Sequence, residues 1–155
     1  MQKIIGLSKD YAEKIAVKLN ELLADYEVFY QNLRGFHWNV VGRDFFQLHL
    51  KYEEMYDAAF ASIDEVAERI LTLGQRPLHT FTGFLASSSI REVSDVSGGI
   101  ETAQQVVQNL SLMLEKEREV LALASESNDE GTAAMVSDFI KRNEKDAWML
   151  SAFLR

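Results

Sequence analysis

Apolar residues recur at steps of three and four through four long stretches of the chain, and the glycines fall between those stretches. The glycine-free runs are 7–34, 43–73, 100–130 and 132–155. In the first, Ile15, Leu19, Leu22, Tyr26, Phe29 and Leu33 form the one-sided stripe of a helix laid on a core, with Ser8 as its N-cap and Gly35 as its end. The second runs from Asp44 to Leu73 without glycine or proline and stops at Leu73-Gly74, with Pro77 close behind. The third carries Ala103, Val106, Leu110, Met113, Val120 and Ala124. After a break at Ser127 to Gly131, the fourth carries Met135, Phe139, Ala147, Leu150 and Leu154.

The connection from Gly74 to Gly99, about twenty-five residues rich in Ser, Thr and Gly, is too long for a hairpin between neighbouring antiparallel helices. It has the length to traverse a bundle, and Ser89 to Asp95 is expected to form a short helix within it. Four helices with one long crossover between the second and third predict an all-α, ferritin-like four-helix bundle, one domain over 1–155. The charge run from Glu115 to Glu119 reads as a solvated face with one position turned inward, and Lys141, Arg142 and Lys145 as salt-bridge partners.

Composition narrows the function. Twenty-four acidic against sixteen basic residues give a net charge of −8, which argues against nucleic acid as a default partner and in favour of cations. No cysteine is present, so disulfides, thiolate zinc sites and iron–sulfur clusters are excluded, and a metal must be held by imidazole and oxygen, a set that suits iron, manganese or zinc. Lys3 is followed by too few apolar residues for a secretory signal, and no stretch approaches the roughly 18 apolar residues of a spanning helix. A cytoplasmic protein without membrane contact is expected.

The candidate chemistry lies between His37 and Glu68. His37, His49, Glu53, Asp64 and Glu68 stand at intervals of twelve, four, eleven and four, so the last four form two couples spaced like neighbours on a helix. At about 100° per residue those four share one face within an arc of roughly 100°. They do not share one site: eleven residues are roughly 16 Å of helix, whereas ligands meet across an ion at bonds of roughly 2 Å. Each couple is half a site. If two such helices pair antiparallel about a two-fold axis near Ala58 and Ala59, His49 faces Glu68 of the second copy and Glu53 faces Asp64, giving two equivalent sites per dimer. Tyr56 and Phe60 lie between the couples. No histidine has a glutamate three residues before it, so the Glu-x-x-His motif of a site inside one bundle is missing, which also favours a shared site. His79 has no partner pattern and reads as a surface histidine.

These residues resemble the Dps family, the miniferritins. The likeness is carried by Gly35-Phe36-His37-Trp38-Asn39-Val40, by Phe46-x-Leu48-His49-x-x-x-Glu53-Glu54-x-Tyr56, by Asp64-x-x-Ala67-Glu68-Arg69-Ile70, and by Asp146-x-Trp148-Met149-Leu150. It implies a hollow dodecamer built from two-fold dimers, with ferroxidase sites at the two-fold interfaces. There Fe(II) is oxidised, by hydrogen peroxide or dioxygen, to a stored ferric mineral. His37, His49 and Glu53 would act from one subunit and Asp64 and Glu68 from its mate, on two irons per site, with zinc as a substitute metal. Glu53 departs from the family's usual Asp by one methylene. Trp38 is a candidate neighbour of the site, and Asp129, Glu130 and Asp138 are candidate acids of a three-fold pore, where Ala134 replaces a residue often acidic. Rival functions are a DNA-condensing nucleoid protein, disfavoured by Lys3 being the one basic residue ahead of Ser8, and a helical scaffold with a non-catalytic metal.

Overall fold

The computed structural model describes the backbone of residues 2–155 and the side chains from Ile4 onward; the Lys3 side chain lies outside the described residues. The helices are α1 (Gln2–Ile5), α2 (Lys9–Asn39), α3 (Phe45–Thr72), α4 (Phe81–Ser87), α5 (Gly99–Glu126) and α6 (Glu130–Phe153). The four long ones make the expected bundle. α2 and α3 form one antiparallel hairpin and α5 and α6 another, and the connection between α3 and α5 climbs the side of α2.

Local chemistry sets most of these boundaries. Ser8 caps α2 by accepting the Tyr11 N–H at 3.2 Å. α3 ends in a Schellman turn: Gly74 takes φ +74°, which glycine adopts without strain, and Gln75 N–H reaches the Ile70 carbonyl at 3.0 Å. α5 ends the same way at Asn128, with Asp129 N–H on the Ala124 carbonyl at 2.9 Å. Asp129 then caps α6 by accepting the Thr132 N–H at 3.0 Å, so the two helices turn over within a few residues.

Two boundaries differ from expectation. Gly35 does not end α2, which runs on to Asn39 and holds His37 and Trp38 in its last turn. A glycine inside a helix costs only about 1 kcal/mol, and the turn beyond it buries Phe36 and His37. The helix stops where Val40 becomes extended and Val41 N–H pairs with the Ser97 carbonyl at 3.0 Å. The short helix of the crossover is Phe81–Ser87 rather than 89–95. Thr80 caps it through the Gly83 N–H, and Phe84 buries its inner face. Residues 88–93 are instead gripped by α2. Asp25 accepts from Ser88 Oγ (2.9 Å) and Ser89 N–H (2.6 Å), and Asn32 holds both the Arg91 carbonyl and the Val93 N–H. Lower down, Asn20 does the same for Arg76 and Leu78.

The core is mainly apolar, but at mid-height all four long helices send in polar groups. Glu117, fully buried, is the inward position of the charge run. Its Oε1 accepts from the Tyr26 hydroxyl (2.8 Å) and Asn143 Nδ2 (2.7 Å), and its Oε2 has no hydrogen-bond partner. Burial raises its carboxyl to about 7 against the pull of those two donors and of Arg142. Arg142 donates to Ser62 Oγ at 2.6 Å and lies over the Phe139 ring rather than forming the salt bridge expected of it. Among the described residues no helix is long and apolar enough to cross a membrane.

Candidate metal centre

The extra turn of α2 beyond Gly35 brings His37 against His49, one turn into α3. Their imidazoles stack at 3.8 Å between centroids and 16° between planes. His37 Nδ1 lies 2.7 Å from the His49 carbonyl oxygen, and His49 Nδ1 lies 2.8 Å from the His37 carbonyl oxygen. A carbonyl only accepts, so each Nδ1 carries the proton and donates. In the neutral ring that leaves each Nε2 with a free lone pair, the form in which imidazole binds a metal.

The pair is clamped from both sides. Phe45 stacks on His49 at 5.0 Å, and Tyr56 meets His37 edge-on at 5.3 Å. Behind Tyr56 stands Tyr30, which also contacts Phe60. Tyr56 belongs to the aromatic stretch expected between the couples. Phe45 was not anticipated, although its position four residues before His49 puts it on the same helical face.

Glu53, half-buried, lies one turn beyond His49 on α3, while Asp64 and Glu68 are exposed further along the same helix. The structure therefore joins His37 to His49, sets Glu53 a turn away, and leaves Asp64 and Glu68 apart from them. Among the described residues no three His, Asp or Glu side chains meet closely enough to hold an ion. Trp38 is exposed, with its ring against the Arg34 guanidinium at 4.7 Å.

Of the three candidate pore acids, Glu130 and Asp138 are exposed. Asp129 is not, and the expectation for it is corrected. It is 2% exposed, caps α6, and accepts from Arg69 (2.5 Å), the Tyr11 hydroxyl (2.7 Å) and Thr132 Oγ1 (2.6 Å). Burial alone would raise its carboxyl, but these donors hold it below the ordinary range. A carboxylate so saturated fastens α2, α3 and α6 together and has no capacity left for a pore.

A four-helix bundle with a long crossover between its second and third long helices has the architecture of a ferritin-like protein, and the family model described as Ferritin-like domain matches residues 16–155. The curated relative named DNA protection during starvation protein from Porphyromonas gingivalis is 41% identical over 99% of this chain and 98% of its own length. Among solved structures, a Dps protein from Vibrio cholerae O1, titled a member of a superfamily of ferritin-like diiron-carboxylate proteins, superposes with a TM-score of 0.95 at 48% identity, covering 97% of this chain and 95% of that one. A Dps protein from Bacillus brevis gives 0.91 at 36% identity, over 96% and 100%. The chain belongs to the Dps family of ferritin-like proteins.

Proposed function

We propose that this protein is a cytoplasmic ferroxidase that oxidises Fe(II), with hydrogen peroxide or dioxygen, at sites shared by two subunits and stores the ferric product inside a hollow dodecamer, so limiting oxidative damage. The observation that carries the reading is the reciprocal bond between His37 and His49. It fixes two imidazoles with Nε2 free, one helical turn from Glu53, in a chain whose other suitable carboxylates lie roughly 16 Å further along the same helix. An antiparallel second copy supplies Asp64 and Glu68 to complete each set. Facing Glu53 with Asp64 sets two carboxylates together, an arrangement that a divalent cation between them relieves of its like-charge repulsion.

Fe(II) is the substrate. Two Fe(II) ions at one site give up the two electrons that, with two protons, reduce one hydrogen peroxide to two waters, so no hydroxyl radical is released. Zinc suits the same nitrogen and oxygen ligands and would occupy the site without turnover. Glu130 and Asp138 are proposed as acids of the entry pore. Protection of DNA, in the name of the relatives, comes to this chain as removal of iron and peroxide rather than as contact with DNA, because its net charge is −8.

The test is complementation. His49→Ala and Glu68→Ala each abolish ferric absorbance on adding Fe(II) and peroxide. Co-assembled at equal amounts, the two variants regain about a quarter of wild-type activity, because half of the random dimers are mixed and each mixed dimer has one intact site. Sites held within one chain would give no recovery.

A further inference from the structure

The face of α3 that carries the proposed ligands also carries large apolar side chains that this chain leaves mostly exposed. Phe46 is 75% exposed, Phe60 62% and Leu71 53%. At 100° per residue all three fall inside the arc spanned by His49 and Glu68. Their places along the helix are as informative as their angle. Phe46 precedes His49 by three residues and Leu71 follows Glu68 by three. The two-fold relation that sets His49 opposite Glu68 of a second copy therefore sets Phe46 opposite Leu71 of that copy.

Resting on the shared-site reading, we infer that Phe46 of one subunit and Leu71 of the other close the outer end of each metal site, as positioning residues that exclude water and fix the register of the two helices. Phe60, with Tyr30 and Tyr56 behind it, closes the inner end. Each ligand set then lies between two apolar walls, with its carboxylates and imidazoles in a dry slot where their hold on a cation is strengthened. The occupant of this face is a second copy of the chain. The exposed parts of Phe46, Phe60 and Leu71 in two copies supply on the order of 700 Å² of apolar surface, close to half of a standard interface of roughly 1,600 Å². A sliding error of one helical turn would set Phe46 opposite Ala67 or Gln75 instead of Leu71 and separate Glu53 from Asp64, so the apolar ends select one register.

The chain has no cysteine, so introduced pairs report without background. Phe46→Cys with Leu71→Cys, both at exposed positions that leave the bundle undisturbed, is expected to give covalent dimers on mild oxidation with diamide, read on a non-reducing gel. Phe46→Cys alone gives none, because its own counterpart lies roughly 37 Å away along the pair. Asp57→Cys subunits mixed with Phe60→Cys subunits, whose cysteines would face each other near the axis and, being on separate chains, cannot link within one helix, report the two-fold itself. If the central pair links and the outer pair does not, the closure is overturned and the shared site stands; if neither links, both fall. On assembled protein, Phe46→Ala is expected to raise the rate at which a chelator strips bound Zn(II) roughly tenfold, the order of effect of losing one buried apolar side chain. An unchanged rate would overturn the closing role.

Discussion

His37 and His49 each donate their Nδ1 proton to the other's backbone carbonyl, at 2.7 and 2.8 Å. The two side chains are thus each other's support: neither imidazole is held in place if the other's backbone shifts, and the stacked rings brace one another at 3.8 Å. Substituting either by Ala is expected to weaken Zn(II) or Co(II) binding by about 10–100-fold. The double variant should be little worse than the single ones, since the residues act as a unit. Calorimetric titration of the assembled protein measures both, and additive losses would contradict mutual support.

Glu117 predicts a pH dependence of stability. Its folded carboxyl titrates at about 7 against an ordinary 4.5, so between those values the folded state binds more protons than the unfolded one. Stability from this group is complete below the lower value and is lost as pH rises through the upper one, by about 3 kcal/mol in total. Asp25, also raised by burial, acts with the same sign. Glu117→Gln keeps an acceptor for Tyr26 and is expected to be more stable than wild type at pH 8 and to flatten the profile between pH 5 and 8. Urea denaturation at fixed protomer concentration measures it.

Asp129 has the opposite sign, because Arg69, Thr132 and Tyr11 hold its carboxyl low. Its contribution is present at neutral pH and is lost on acidification below the ordinary carboxylate range. Asp129→Ala leaves the Arg69 charge without its partner and removes the α6 cap, so a loss of about 3–5 kcal/mol is expected at pH 7. Thermal unfolding of Asp129→Ala and Arg69→Ala would show it, with the double variant falling well short of the sum.

The grip of α2 on the crossover can be loosened without touching the core. Asn32→Ala frees the Arg91 carbonyl and the Val93 N–H. Amide exchange at 91–94 should then accelerate roughly tenfold while that of α5 and α6 stays unchanged, the signature of local opening.

The four long helices were legible because each repeats its apolar residues at helical spacing, and the end of α3 because its stop is real, Gly74 taking a left-handed φ. The grouping of His49 with Glu53 and of Asp64 with Glu68 was legible because residues four apart on one helix share a face. Gly35 misled because a glycine weakens a helix only slightly, and what carried α2 past it was the burial of Phe36 and His37 against distant parts of the chain. The short crossover helix was misplaced for a similar reason: the bonds that hold 88–93 irregular come from Asp25 and Asn32, some sixty residues earlier. Asp129 showed the same limit. An acid at a helix start reads alike whether it faces water or Arg69 and Tyr11, and those partners are 60 and 118 residues away.

The continuation of α2 to Asn39 ties the imidazole of His37 rigidly to the same rod that Asn20, Asp25 and Asn32 lash to the crossover. Deleting a single residue between Asn32 and His37 would swing that ring by about 100° and draw it back by about 1.5 Å, out of reach of the His49 carbonyl. The span from Asn32 to His37 therefore has a fixed length for chemical reasons. The nearby turn at Gly42, which only has to reverse direction, is where an insertion between these two helices would be accommodated.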